Sequence, residues 1–328
     1  MIFNTVVRTS LILPVCLFLG AGTTKHSIDV ETGDFLRLNA GFGDRDLAEA
    51  RSGRRVVKTL DPGIPQEMVT VGVTHFQVPF DYYIERARSG NLYRPGPTLL
   101  QFGRFSANPS VADMQGLTLD PSDLEPLRDL DPAAGQSEQA GKQVLVRTIR
   151  DYRNSGIRSL EPFRQGSKGL VVAKEVRALL ANSPYLRHYG AHVEDYVANY
   201  PLGEAHGACE YFAWAKINIG LKKLIRLTKV TVWEQRNGSR RESVMVTEQV
   251  YASRYFQASL QVDHVISDDS VATAPAIYLV TINRGRCDLL DTSIGRFLRP
   301  VIMNRTRAST VRTLDMAKVT LEGEYLQR

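Results

Sequence analysis

The sequence predicts an α+β fold: a curved antiparallel sheet, a long C-terminal helix lying on it, and an additional helical insertion. Three observations predict this. From about Cys209 several β-patterned segments follow one another through loops. From Ile294 the apolar period changes from two to that of a helix, and the stretch from about 142 to 200 also has helical spacing.

In chain order, residues from Asp34 to about Asp61 suggest one or two short helices that cover the sheet. Val69, Val71 and Val73 then alternate with Thr70, Gly72 and Thr74, which reads as an opening strand that feeds a helix at FDYYIERAR. Asp120-Pro121-Ser122-Asp123 is a helix start: Asp120 caps, Pro121 sits where a missing N–H costs nothing, and Asp123 meets the dipole. Capping therefore accounts for these carboxylates. Leu145, Ile149 and Tyr152, and then Val172, Val176 and Leu179, place one apolar stripe on each of two helices in the insertion.

The main sheet follows. Val230–Trp233 and Val244–Tyr251 flank Asn237-Gly238, a dipeptide suited to a hairpin, here with a longer loop. Between Tyr255 and Ile266, Phe256, Ala258, Leu260 and Val262 alternate with Gln257, Ser259, Gln261 and Asp263, giving one apolar and one wet face. Ile277–Ile282 is a further strand rich in β-branched residues. Ile294, Leu298, Val301, Ala308, Val311, Leu314 and Leu321 then fall on one side of a terminal helix. Pro300 either occupies its first turn or kinks it. The domain reading is a signal peptide at 1–22, an N-terminal helical segment at 23–67, and a single domain at 68–328 with the insertion at about 142–200.

This order of strand, helices, antiparallel meander and closing helix resembles the helix-grip layout of the START-like, polyketide cyclase and lipid-transfer superfamily. Three blocks, QFGRFSANPSVADMQGLTLDPSDLEPLR, EQVYASRYFQASL and YLVTINRGRCDLL, resemble those of an uncharacterised family of exported bacterial proteins. That resemblance implies the fold and the compartment. Because the family's activity is unassigned, it carries no catalytic residue across, and DPAAGQSEQAG after Leu130 looks like a trimmed loop relative to its pattern.

Residues 1–22 combine Arg8, the apolar run SLILPVCLFLGA, and Gly20 and Gly22 at the positions of a cleavage site, which reads as a signal peptide cut before Thr23. The expected location is periplasmic or secreted, with anchoring by an uncleaved signal as the alternative. Two cysteines then remain, Cys209 and Cys287, either paired or, the preferred reading, free. With 43% hydrophobic residues in 328 the chain can bury a sizeable core. Its net charge is +6, and the arginines clustered between Thr281 and Arg312 account for most of the excess. They form either a solvated helix face or a patch for an anionic membrane surface. Nucleic acid is not expected as a partner, since no reader motif is present.

No catalytic motif is found. His188 and His192 have metal-ligand spacing, but the intervening residues lack the metalloprotease Glu and include the helix breaker Gly190, so no metal is expected. No glycine motif for phosphates follows a strand, and no cofactor is expected. The favoured function is an exported, non-enzymatic binding protein for an apolar or amphipathic, lipid-like ligand held between sheet and terminal helix. Alternatives are a hydrolase- or cyclase-type enzyme on the same fold, using His264, Asp263 or Glu248, and an envelope protein-interaction module. Candidate ligand-binding residues are Arg284 and Arg286 at the cavity mouth, with Tyr255, Tyr278 and Trp233 from the aromatic-rich sheet. A competing role for the two arginines is to fix the strand-to-helix corner through Asp288.

Overall fold

The fold rests on a sheet whose two faces are both buried, each under helices of different chemistry. The computed structural model describes residues 30–165, 170–203, 207–219, 222–237, 240–268, 275–287, 290 and 293–328. The strands are β1 (Val56–Leu60), β2 (Glu67–Phe76), β3 (Leu99–Arg104), the two-residue β4 (Arg164–Gln165) and β5 (Leu170–Val171), β6 (Cys209–Ile217), β7 (Leu224–Asn237), β8 (Arg240–Ala252), β9 (Phe256–Asp268) and β10 (Ala276–Cys287). The helices are α1 (Val30–Ala40), α2 (Asp44–Arg51), α3 (Phe80–Ser89), α4 (Pro121–Leu124), α5 (Glu138–Ser155), α6 (Val172–Ala181), α7 (Pro184–Tyr189), α8 (Ala191–Asn199) and α9 (Ser293–Leu326).

Eight strands form one curved, unclosed antiparallel sheet in the order β1-β2-β10-β9-β8-β7-β6-β3, while β4 and β5 pair separately. The meander β6 to β10 supplies its centre, and the opening strand β2 closes onto the last strand β10, with Gly72 opposite Thr281. β1, β3 and β6 are additional to the strands read from sequence. β1 and β3 are short and include Lys58, Gln101 and Arg104, which obscure the pattern, while β6 opens the β-patterned stretch that begins at Cys209. The β7–β8 hairpin is tighter than expected: Asn237 pairs with Arg240, so residues taken for loop belong to strands of 14 and 13 residues.

Parity sorts the side chains. Val69, Val71 and Val73 of β2, Ala258, Leu260 and Val262 of β9, and Val280 and Ile282 of β10 pack into one cluster with α1, α2 and the insertion helices α5 to α8. The opposite parity, including Met245, Val265, Ile277 and Leu279, packs with α3 and with Leu314, Ala317 and Leu321 of α9. The polar face of β9 is consequently not wet. Gln257 and Asp263 are 2% and 1% exposed, and Asp263 lies near Tyr83 of α3.

Small residues let α9 approach. A Cβ on Gly72 would lie 3.0 Å from the Leu314 Cδ1 and 3.0 Å from the Thr281 Cγ2, so a side chain there would push the helix off the sheet. Polar contacts tie α9 along the same edge. Arg307 donates to the Val57 carbonyl at 2.8 Å, Arg299 donates to the Pro65 carbonyl, and the Thr70 and Thr310 hydroxyls are 3.5 Å apart. The helix passes through Pro300 instead of starting there. Its apolar stripe enters the core only from Leu314 onward; Val301 remains 48% exposed, Ala308 is exposed and Val311 is half-buried. The side chain of Ile294 lies outside the described ones.

The capping reading of Asp120 agrees with the structure. Its carboxylate accepts from the Ser122 and Asp123 amides, and Asp123 caps back on the Asp120 amide at 3.1 Å. The Ser122 contact is the largest cause holding Asp120 down at about 2. Asp123 is also salt-bridged to Lys216 of β6 at 2.5 Å.

Leu260 is 3% exposed in the larger cluster, whereas Val319 on α9 is 75% exposed. Leu260→Ala is expected to destabilise by about 2–5 kcal/mol, and Val319→Ala by less than about 0.5 kcal/mol. Chemical denaturation of both variants checks this; equal midpoints would contradict the assignment of faces.

Candidate functional site

Because α9 rests on β2 and β1 at one side of a curved sheet, the floor formed by β10, β9, β8 and β7 is left uncovered beneath it. The gap is a cavity of about 600 Å³, within the range of small-molecule sites of roughly 300–1,000 Å³. Its roof is apolar where Leu298, Val301 and Ile302 of α9 meet it, and its far wall carries Leu99, Ile217 and Ile219. The floor is polar: Thr247, Ser259, Gln261, Thr281 and Asn283 share the parity that faces α9. One end is narrowed by the loop before β3, where a Cβ on Gly96 would lie 2.5 Å from the Met316 Cε and where Arg94 pairs with Glu324 at 2.8 Å.

Of the residues expected to bind ligand, two reach this cavity. Tyr255 lines it from the turn between β8 and β9. Its φ of 66° is a left-handed conformation usually left to glycine, and its hydroxyl accepts the Lys222 N–H at 3.0 Å. Arg284 contributes to the wall, but its guanidinium is occupied: Nε donates to Glu67 at 2.8 Å, and Glu67 is fully buried. Arg286 binds Glu175 of α6 and lies 3.5 Å from Glu67, on the insertion side of the sheet. The two arginines therefore share Glu67 and hold α6 to the sheet. Asp288, the partner considered from sequence, lies outside the described residues. Tyr278 and Trp233 are core residues of the insertion face, Tyr278 being 1% exposed and Trp233 meeting Tyr196 edge-on at 5.5 Å.

Parity also separates the acids and histidine proposed for catalysis. Glu248 points to the insertion side, where it accepts from Tyr152 and lies 3.8 Å from the fully buried Lys229 ammonium. Tyr196 and Tyr200 cover that ammonium at 4.6 and 4.0 Å, and Glu210 stands 3.6 Å away. Burial raises Glu248, with Lys229 opposing. His264, on the same side, is held between the Tyr185 hydroxyl at 2.9 Å and Glu242 at 3.2 Å. These networks fasten α5, α7 and α8 to the sheet.

Only Asp263 lies on the cavity side. Burial raises its carboxyl to about 6, against hydrogen bonds from Thr281 and Gln261 that lower it. Gln261 donates to one oxygen at 2.7 Å, while Oδ1 has no partner among the described residues. Burial also raises the nearby Tyr93 hydroxyl, and Asp263 adds to that. Asp263 does not itself open onto the cavity; Gln261 and Thr281 stand between them.

Among the described residues no three His, Cys, Asp or Glu side chains converge to hold a metal. His188 is at the end of α7 and pairs with Glu31 at 3.0 Å; Gly190 ends that helix, so residue 192 belongs to α8. The side chain of His192, and His206 altogether, lie outside what is described. Cys209 and Cys287 are not joined in a disulfide. No described helix is long and apolar enough to cross a membrane. Comparison with known proteins returned no matching family, no matching curated protein and no matching solved structure.

Two outcomes follow from these acids. Folded Asp263 keeps its proton up to about pH 6, whereas the unfolded chain loses it near 3.8. Stability contributed by the protonated form is thus full below pH 4 and lost as pH rises through 6, on the order of 3 kcal/mol. Asp263→Asn should match the parent at pH 4 and exceed it in Tm at pH 7; equal Tm values at pH 7 would contradict the burial assigned to this carboxyl. Glu67→Ala should cost about 3–5 kcal/mol by stranding the Arg284 and Arg286 charges, and denaturant titration measures it.

Proposed function

We propose that this chain is a binding protein that holds an apolar or amphipathic, lipid-like molecule between the sheet and α9. The observation that carries the reading is the cavity of about 600 Å³ with an apolar roof and a polar floor. Such a surface solvates a hydrocarbon chain on one side and a head group on the other. The helix-grip-like layout adds support at the level of architecture, which by itself assigns no function. The polar groups proposed for chemistry argue for binding over catalysis: Glu248 and His264 are turned to the other face, and Asp263 is covered.

The same reading places the protein outside the cytoplasm. It rests on the signal-like pattern of residues 1–22, which lie outside the described residues, and on the three blocks that resemble exported proteins. Phe297 and Leu298, 85% and 40% exposed, flank the open side together with exposed Arg305. That combination supports peripheral contact with an anionic membrane surface during loading.

The test uses the neutral apolar fluorophore N-phenyl-1-naphthylamine. The parent should bind it in a saturable manner, and Ser309→Trp, which places an indole into the cavity from α9, should reduce the affinity at least about tenfold with Tm unchanged. Absence of saturable binding by the parent, or equal binding by Ser309→Trp, would contradict the proposal.

A further inference from the structure

Among the described residues, four arginines, Arg94, Arg226, Arg284 and Arg305, line the cavity, and no Asp or Glu does. Two of them are neutralised, Arg94 by Glu324 and Arg284 by Glu67. Arg305 lies on the exposed part of α9. Arg226 is different. It projects from β7 opposite Ala215 and Ala252 on the cavity side of the sheet, and it forms no ion pair or hydrogen bond with any described residue. Its buried Nε has no acceptor, and its nearest favourable contact is the Phe256 ring, 5.7 Å from the guanidinium carbon.

A guanidinium enclosed without an acceptor is costly, since hydrogen-bonding groups removed from water are nearly always paired. Burial alone lowers Arg226 to about 10, so it stays cationic at neutral pH. It is half-buried and lines the cavity. The flanking alanines, Ala215 and Ala252, leave space around it where a pairing carboxylate would otherwise stand. Among the described residues no anion completes Arg226, and the ligand can supply one.

We infer that the ligand is a single-chain amphiphile with an anionic head, a carboxylate or a phosphate monoester, and that Arg226 anchors this head while the tail lies under α9. The inference rests on the binding function proposed above and specifies its ligand class. A planar guanidinium donates two parallel hydrogen bonds to either anion, and Arg305, which also lines the cavity, adds positive potential there.

The test is displacement of N-phenyl-1-naphthylamine by palmitate, hexadecyl phosphate and hexadecanol, with the parent and with Arg226→Met, Arg226→Lys and Arg305→Met. The parent should bind at least one anion about tenfold or more tightly than the alcohol, as expected for a charge-assisted bond. Whichever of palmitate and hexadecyl phosphate shows that preference identifies the head group. Arg226→Met should abolish the preference while keeping alcohol binding, and its Tm should equal or exceed the parent's because a buried unpaired charge is gone. Arg226→Lys, which keeps charge and loses the planar fork, should retain part of the preference, and Arg305→Met most of it. Equal displacement by all three amphiphiles overturns the head-group inference and leaves the binding reading standing. So does a preference that survives Arg226→Met or is lost only in Arg305→Met. A large fall in Tm for Arg226→Met with parent-like preference in Arg226→Lys would show a structural role and overturn it too. Failure of the parent to bind the fluorophore or any amphiphile overturns both.

Discussion

The approach of α9 to β2 governs the rest of the molecule. Gly72, flanked by Thr70 and Thr74, lets Leu314 touch the strand backbone, and Arg299 and Arg307 fasten the helix to carbonyls of that same edge. A helix held tightly to one side of a curved sheet cannot follow the sheet across its width. The cavity is the geometric remainder, so its position is set by where small side chains occur and its size by the curvature.

The two faces of the sheet have separate tasks. Valine, leucine and isoleucine of one parity form the larger core with the insertion helices, and charged groups on that side pair with one another: Lys229 with Glu248 and Glu210, His264 with Tyr185 and Glu242, Arg284 and Arg286 with Glu67 and Glu175. Such pairs add specificity of docking more than net stability, because desolvation offsets much of their attraction. The other parity carries threonine, serine, glutamine and asparagine beneath α9. Asp263 and Arg226 both keep buried atoms without partners there. Arg226 lines the cavity, so a ligand there can complete it.

Much of this architecture could be read from the chain. The alternation in β9 assigned Leu260 and Val262 to a core, the stripe ending at Leu321 assigned a closing helix, and Asp120 announced its own cap. The sequence could not show that both sides of the sheet are covered, since a polar face under a helix looks the same as one in water. For the same reason Arg284 and Arg286 were placed at a cavity mouth. Once β10 pairs with β2, Arg284 stands opposite Val69 and Arg286 opposite Glu67, which gives the two arginines the insertion-side parity, and that pairing is a long-range fact. Arg226 did leave a signal: in Leu224-Ile225-Arg226-Leu227-Thr228 it alternates with apolar residues, marking a cation within a strand, but its lack of a partner is visible only in three dimensions.

The central claim is that the space under α9 is a ligand site. Photocrosslinking with a diazirine-bearing palmitate, followed by peptide mapping, tests it most directly. Labels confined to α9 between Leu298 and Ala317 and to the cavity-facing residues of β3 and of β6 to β10, and competed away by unlabelled palmitate, are the predicted result. Labels confined to the insertion helices or spread over the surface without competition would contradict the account.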